Sequence, residues 1–277
     1  MFRSIVCATD FSRGGSHALE MAARWAEALD ATLDVVHVVT PLFGVVPSSS
    51  VLDEIGVALR DDAAQTLENA LEKLRPRVRV TGRVVEGFAR DQIVRAARSS
   101  SADLIVVGTA GESALARVVL GSTADRVVRT SDCSILVVPF DAPTTLPRTL
   151  VAPTDFSPAS RRSVQAAFTL AAPLAASVEV VHAYDIPFFT DRSRPEIISL
   201  PETLAARARS FHELDAAVRV HVVEESPAIA IDRVARAAHA NLVVMSTHGT
   251  TSGRLLGSVT DRVLRTSSNA VLVFRAT

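Results

Sequence analysis

The chain alternates short apolar runs with longer segments that have helical periodicity. Five runs rich in β-branched residues are nearly continuous in apolar character, as strands buried on both faces are. They lie at 4–8, 33–39, 78–85, 104–107 and 135–138. Within 16–29, Leu19, Trp25, Ala26 and Leu29 recur at helical spacing, and the charged residues fall largely elsewhere. Alternating strands and helices predict an α/β fold, a parallel sheet with right-handed crossovers and helices on both faces.

The whole pattern is written twice. Residues 3–39 align with 148–184 without a gap, and 125–138 match 261–274 near the end of each copy. Three pairs of polar residues coincide in this alignment: Asp10 with Asp155, Ser12 with Ser157, and His37 with His182. The period is far too long for a solenoid, so the repeat predicts tandem domains.

Two domains of ordinary size suit the length of the chain. We place them at 1–143 and 144–277, joined near the sequence DAPTTLP at 141–147, whose prolines resist regular structure. Segments 40–51 and 184–196, rich in Pro and Ser, follow the second strand of each copy and are candidate lids or linkers. The strands of the second copy are predicted at 148–153, 178–183, 218–223, 242–246 and 270–274.

Composition narrows the class of protein. Apolar residues make up 48%, which is enough for packed cores. The net charge of −1 has no block of one sign, unlike the basic face of a nucleic-acid binder. Cys7 and Cys133 are interpreted as buried thiols in a reducing compartment. A strand already begins near residue 2, and the most apolar helical stretch, 164–176, is too short for a bilayer. We expect a soluble, cytoplasmic protein with neither nucleic acid nor membrane as a partner.

The ends of the first and fourth strands are the place to look for a site. In an open α/β sheet, ligands bind beyond the carboxyl ends of the strands, where the winding reverses. Those ends read ATD at 8–10 and VVG at 106–108. After Gly108 come Gly111 and then Gly121, which opens a helix.

Each part of this glycine pattern has a physical use. Gly108 would let a ligand approach the backbone, and Gly111 would permit a turn with positive φ. Gly121 and Ser122 would place free amides, a hydroxyl and a helix dipole where an anion can sit. The intervening segment, which carries Arg117, could close over a phosphate chain. The alternative is a strand–loop–helix connection whose serine is only an N-cap.

The joint pattern resembles the universal stress protein family. V-x-A-T-D-F-S, V-V-H-V-V, V-V-G-x-x-G-x9-G-S-T-A-D-R-V and a final S-I-L-V-V-P carry the resemblance, which covers nearly the whole chain twice. It implies a five-stranded parallel sheet of order 3-2-1-4-5 in each domain. One branch of the family binds ATP through G-x2-G-x9-G-[S/T], which the first copy matches in full.

The resemblance implies ATP as the ligand, alone or with Mg²⁺, and assigns no catalytic residue and no metal ligand from the protein. Asp10 would lie at the ribose or adenine, Val38 would line the adenine pocket, and the glycine loop would cradle the phosphates. The implied binding residues are Ala8, Thr9, Asp10, Val38, Val107, Gly108, Gly111, Arg117, Gly121, Ser122 and Thr123. Glu112, where the family often has Arg, would repel phosphate unless it points outward or helps to hold Mg²⁺. Ala114 replaces a glycine that is common within the loop.

The second copy departs further from the motif. Ser246 stands at the first glycine position, and only seven residues separate Gly249 from Gly257. The shorter loop would reach less far over phosphates, and Ser246 would add a side chain and restrict φ. The candidate second site consists of Asp155, Gly249, Gly257 and Ser258. A partial motif of this kind is compatible with altered binding or with a site retained for folding alone; we expect the latter, with one ATP bound per chain.

Other polar residues give weaker indications of a functional site. Asp10 and Asp155 could simply cap the first helix of each copy together with Ser12 and Ser157. His37 and His182 are interpreted as satisfied core residues. Three other histidines, His212, His221 and His239, show no metal-binding spacing, and Lys73 is in no Walker motif.

Three hypotheses for the function stay open at this point. They are an ATP-binding regulatory module, a slow ATPase or self-phosphorylating protein, and a nucleotide-free scaffold. The sequence supplies no obvious general base, and no arginine finger beyond Arg117, so we do not expect fast turnover.

The last strands predict an assembly. The segments 134–138 and 270–274 should lie at sheet edges and are too apolar to be left exposed. The simplest cover is the equivalent strand of the other copy, which gives an intrachain pseudo-dimer; a homodimer is the alternative.

Overall fold

A computed structural model describes residues 2–40, 50–109, 120–187, 190–247 and 256–275, with side chains from residue 54 onward in the second range. Gly111, Arg117 and Gly249 therefore lie outside the described residues, as do Glu112 and Ala114. The chain forms two compact units. Unit 1 is Met1–Phe140 with Thr144–Leu146, and unit 2 is Asp141–Pro143 with Pro147–Thr277. The boundary between residues 143 and 144 stays a prediction.

Unit 1 is a parallel sheet with helices between its strands. Its elements are β1 (Ser4–Ala8), α1 (Arg13–Leu29), β2 (Thr32–Val39), α2 (Ser50–Leu74), β3 (Arg79–Glu86), α3 (Ala89–Ser99), β4 (Leu104–Gly108), α4 (Ser122–Thr130) and β5 (Ser134–Val138). The strands follow the order β3-β2-β1-β4-β5, and every pairing among them is parallel. The chain order reverses between β1 and β4, which is the switch point the sequence indicated.

Unit 2 repeats this arrangement. Its elements are β6 (Thr149–Pro153), α5 (Pro158–Leu174), β7 (Ser177–Tyr184), α6 (Pro195–Ile198), α7 (Leu200–His212), β8 (Arg219–Glu224), α8 (Pro227–Ala237), β9 (Leu242–Ser246), α9 (Ser258–Thr266) and β10 (Ala270–Phe274). The order β8-β7-β6-β9-β10 is again parallel throughout. The predicted fold class, an α/β unit of order 3-2-1-4-5 in each copy, is confirmed.

The first helix of each unit begins at the repeated serine. Ser12 caps α1 by accepting a hydrogen bond from the amide of Gly15 (3.1 Å), and Ser157 caps α5 in the same way (3.1 Å to the Ser160 amide). Along α1 the predicted apolar residues Leu19, Trp25 and Ala26 are buried, with Trp25 only 1% exposed, and Leu29 is half-buried. The periodicity of 16–29 thus identified the helix, and the cap extends it back to Arg13.

Burial is highest in the central strands. Ile5, Val6 and Cys7 of β1 are inaccessible to solvent, and burial raises the pKa of the Cys7 thiol to about 12. Neither cysteine forms a disulfide bond. The expectation that every strand is buried on both faces is wrong for β3 and β8, whose residues are half-buried or exposed. These two strands occupy the edge of their sheets, where each has a single neighbouring strand.

The two predicted lid segments are only partly described. Residues 41–49 lie outside the described part of the chain, and α2 already begins at Ser50. In the second segment, Tyr184 ends β7 and Pro195 begins the short α6. None of the described helices combines the length and apolar character needed to cross a membrane.

Candidate functional site

A cavity of about 440 Å³ opens at the carboxyl ends of β1, β2 and β4 in unit 1. The N-terminal ends of α3 and α4 complete its walls. It is lined by Ala8, Thr9, Asp10, Gly15, Val36, Val38, Ala89, Ile93, Val107, Gly108, Thr109, Gly121, Ser122, Thr123 and Ala124. Every implied binding residue that the structure describes lies in this lining. The tertiary structure therefore brings together residues that are up to 115 positions apart, from Ala8 to Thr123 (123 − 8).

Several lining residues were missed by the sequence analysis. Val36 lies two positions before Val38, so both side chains point to the same face of β2. Ala89 and Ile93 are four apart on α3 and share one helix face. These periodicities were the available signal. It could not be used without knowing that α3 begins beside this edge of the sheet.

Asp10 serves the turn into α1 and also faces the cavity. Its Oδ1 accepts hydrogen bonds from the amide (3.0 Å) and the hydroxyl (2.5 Å) of Ser12. Among the described residues, its other carboxylate oxygen has no hydrogen-bond donor, and the side chain is exposed. Capping and ligand contact are therefore compatible roles for Asp10.

Gly15 makes room for that carboxylate. A Cβ at this position would lie 2.4 Å from Oδ1 of Asp10 and 3.0 Å from Oγ1 of Thr9. Any side chain here would displace Asp10 from the position that it occupies beside the cavity. Its counterpart in unit 2 is Ser160.

Gly108 has a packing role that the sequence did not predict. A Cβ at this position would lie 2.9 Å from the carbonyl oxygen of Gly14, so the missing side chain lets α1 pack against the end of β4. Gly87 is the one glycine with positive φ among the described residues, so Gly108 does not need a glycine-specific backbone conformation. The argument that Ser246 restricts φ at this position in unit 2 is therefore wrong.

The N-terminus of α4 faces the cavity. Gly121 is the N-cap residue, with φ −60° and ψ 152°, and no side chain of the described residues caps the helix. Ser122 is thus the first helical residue and not an N-cap, which removes the alternative interpretation of this serine. The amides of the first turn have no partner within the helix and are available to an anion.

His37 supports the site without lining it. Its Nδ1 lies 2.9 Å from the carbonyl oxygen of Thr9, and its ring stacks on Phe11 at a centroid distance of 4.4 Å. Phe11 has φ 59°, a conformation unfavourable for a bulky residue. The stacked ring and the bond from the Phe11 amide to Thr9 Oγ1 (3.1 Å) stabilise this turn.

Unit 2 has a cavity of about 370 Å³ at the equivalent place. It is lined by Pro153, Thr154, Asp155, Ser160, Val181, Ala183, Pro227, Ile231, Met245, Ser246, Gly257, Ser258, Val259 and Thr260. Three members of the candidate second site, Asp155, Gly257 and Ser258, lie in this lining. The chemistry differs from that of unit 1, because Ala183, Met245 and Val259 replace Val38, Val107 and Thr123.

A buried histidine adjoins the second cavity. Nε2 of His212 lies 2.7 Å from Oγ1 of Thr154. The same oxygen accepts a hydrogen bond from the Phe156 amide (3.1 Å). His212 is only 5% exposed, and burial together with the nearby Arg161 lowers its pKa to about 4. Burial also lowers the pKa of His182, whose Nδ1 lies 2.8 Å from the Thr154 carbonyl oxygen. Both rings are therefore neutral at pH 7.

Comparison with known proteins agrees with this architecture. The model of the universal stress protein family matches residues 1–139 and 147–275. The chain belongs to this family. Among the described residues searched, no group of three or more His, Cys, Asp or Glu side chains is arranged to hold a metal ion.

Relatives of this universal stress protein share its tandem length. A universal stress protein of Mycobacterium tuberculosis is 30% identical over 288 residues, covering 94% of each chain. One from Mycolicibacterium smegmatis is 28% identical and covers 98% of this chain and 96% of its own. The crystal structure of a universal stress protein from Archaeoglobus fulgidus has a TM-score of 0.72 at 18% identity and covers 98% of both chains, which shows the fold.

Proposed function

We propose that this universal stress protein is a regulatory module that binds ATP in the cavity of unit 1. The observation that carries the proposal is the cavity itself, which joins an apolar slot to an uncapped helix N-terminus. Its volume of about 440 Å³ lies in the range of small-molecule sites. Hydrophobic walls with a few convergent polar groups are typical of such sites.

The described lining suits the three parts of a nucleotide. Val36, Val38 and Ile93 supply apolar surface for a planar base. Asp10 keeps a carboxylate oxygen that is not bonded to any described residue and can accept hydrogen bonds from ribose hydroxyls. At the other end, the amides of α4 and its dipole favour phosphate.

The charge of the phosphates needs further groups. The described lining includes neither Lys nor Arg. Helix amides carry partial charges, so the rest of the compensation would come from Arg117 or from Mg²⁺. The parts played by Arg117 and Gly111 rest on the family resemblance.

We assign the site to binding and not to rapid catalysis. Asp10 is the one titratable residue in the described lining, and it is already bonded to Ser12. Phosphoryl transfer to water needs a group that orients the nucleophile beside the terminal phosphate. Bound ATP would therefore be read out through conformation or through a partner.

Two measurements test the proposal. Mass spectrometry of the denatured purified protein should detect adenine nucleotide that was retained during purification. Calorimetry on nucleotide-free protein should then give one ATP per chain.

Gly121→Val tests the phosphate end of the site. Gly121 has φ −60°, which valine adopts, so the variant should fold. Its side chain would fill the space in front of the α4 amides and weaken ATP binding at least ~100-fold, about 2.7 kcal/mol.

Gly257→Val is the matched control, because Gly257 is the N-cap of α9 with nearly the same backbone angles, φ −63° and ψ 145°. It should leave the ATP stoichiometry at one. Unchanged ATP affinity in Gly121→Val would refute the assignment.

A further inference from the structure

We propose that the cavity of unit 2 is a binding site for a neutral nucleoside-class ligand: a planar aromatic ring that carries sugar hydroxyls but no phosphate chain. The site differs from the ATP site of unit 1 in three respects, namely its walls, its hydroxyl-bearing side and its helix N-terminus. The inference rests on residues of unit 2 and stands without the ATP proposal.

The apolar walls accommodate a ring. Val181, Ala183 and Ile231 occupy the positions of Val36, Val38 and Ile93, so the slot is kept and is wider at Ala183. Met245 replaces Val107, and a flexible thioether side chain adapts to irregular ligand shapes. A cavity of about 370 Å³ remains within the range of small-molecule sites.

A polar side is built from Thr154, Ser160 and Asp155. The Thr154 hydroxyl is held by His212 (2.7 Å) and lies 3.3 Å from the Ser160 hydroxyl. Asp155 accepts one hydrogen bond from a described residue, at Oδ1 from the Ser157 amide (3.0 Å).

Asp10, its counterpart, accepts two hydrogen bonds, both from Ser12. Asp155 thus keeps more acceptor capacity for ligand hydroxyls. A negative carboxylate flanked by fixed hydroxyls suits sugar hydroxyls better than phosphate.

At the end that would meet phosphates, two donors of unit 2 are already bonded to protein groups, while the first turn of α9 has no side-chain N-cap among the described residues, as in α4. The Gly257 amide donates to the Thr247 carbonyl oxygen (2.8 Å), and the Thr260 hydroxyl donates to the Ser246 carbonyl oxygen (2.9 Å). In unit 1 the Gly121 amide makes no such bond to a described residue. Val259 further removes the hydroxyl that Thr123 supplies. Fewer free donors among the described residues at this end disfavour a phosphate chain relative to unit 1.

The test uses full-length protein stripped of nucleotide and adenosine as the probe. Val38→Phe fills the apolar slot of the unit 1 cavity, so that of the two cavities only the one in unit 2 stays open to adenosine. Calorimetry on this variant should detect one adenosine per chain, and ATP should bind it at least ~10-fold more weakly than adenosine.

Adding Ala183→Phe, the matched substitution in unit 2, should abolish that binding. Ala237→Phe, at an exposed position on α8, is the control and should leave adenosine binding as it was. Circular dichroism checks folding, and Met245→Trp replaces Ala183→Phe if the latter does not fold.

Three results would overturn the inference: no adenosine bound by Val38→Phe, binding that survives both Ala183→Phe and Met245→Trp, or ATP bound as tightly as adenosine. The two proposals fail separately. Wild-type protein that takes up no ATP would refute the ATP site, while adenosine binding by Val38→Phe would still support the second site.

Discussion

Two glycines of unit 1 owe their role to contacts that only the folded chain makes. Gly15 leaves space for the Asp10 carboxylate, and Gly108 leaves space for the Gly14 backbone. The contact of Gly108 with Gly14 joins distant parts of the chain, whereas Gly15 and Asp10 lie in one turn. A single methyl group at either position would move a neighbour that shapes the cavity.

Gly108→Ala should destabilise unit 1 by about 1–3 kcal/mol, because its Cβ would meet a backbone oxygen that cannot swing aside (2.9 Å). Urea unfolding, followed by the fluorescence of the single tryptophan, Trp25, measures the stability of unit 1. Gly56→Ala on α2 is the control. Nothing lies within 4 Å of a Cβ there, so helix propensity should make that variant equal or more stable by up to about 1 kcal/mol. Equal stability of Gly108→Ala and wild type would contradict the packing role.

His212 makes the stability of unit 2 depend on pH. Its folded-state pKa of about 4 lies below the ordinary 6.5, so between these values the unfolded chain binds a proton that the folded chain does not. Stability is therefore complete above pH 6.5 and is lost as the pH falls towards 4. The expected loss attributable to this residue is about 2 kcal/mol between pH 7 and pH 5.

Urea unfolding monitored by circular dichroism should show a weaker pH dependence in His212→Leu than in wild type. His239→Asn removes an exposed histidine and should leave the dependence unchanged. An equal slope in His212→Leu would show that this ring does not control the acid response.

At the scale of elements, a carboxylate on the second strand of each unit anchors the neighbouring edge strand. In unit 1, Asp34 of β2 contacts Arg83 of β3 at 2.7 Å. In unit 2, Glu179 of β7 is almost wholly buried and pairs with Arg219 and His221 of β8. Because β3 and β8 bury little apolar surface, these charged contacts help to hold the edge strands in register.

Removing the partners of Glu179 should cost more free energy of unfolding than removing Glu179 itself. Removing both partners, Arg219→Ala with His221→Ala, leaves a carboxylate whose side chain is 2% exposed and should cost about 3 kcal/mol. Glu179→Leu leaves Arg219 69% exposed, where water solvates it, and should cost under about 1 kcal/mol. Urea unfolding at pH 7 measures both.

Arg233→Ala breaks an exposed ion pair with Glu225 and is the control, with an expected change of under about 0.5 kcal/mol. Equal costs for Glu179→Leu and the double substitution would contradict this difference.

At the scale of the molecule, the repeat predicts that the two copies pair through their last strands. The segments 134–138 and 270–274 are too apolar for free edges. Cleavage at a protease site placed within 141–147 should therefore leave two fragments that migrate together on a sizing column at micromolar concentration. Fragments that separate would show that the pairing prediction is wrong, and the uncleaved chain provides the size reference.

Local patterns in the sequence determined most of the fold. Apolar runs placed all ten strands to within about two residues. Ser12 and Ser157 indicated where the first helix of each unit begins, because an N-cap residue acts on the turn that directly follows it. The repeat and its motifs identified the family and the strand order. These signals depend on residues close together in the chain, so they can be read without coordinates.

Other properties arose only when distant segments met. The apolar content of β3 and β8 did not reveal that they are edge strands, since burial depends on neighbours from elsewhere in the chain. Gly108 is needed for contact with Gly14, 94 positions away (108 − 14). The second cavity, with Thr154 held by His212, likewise follows from strand ends and helices that converge in space. Sequence determined which segments fold and how they repeat, and tertiary packing decided which of their atoms face one another.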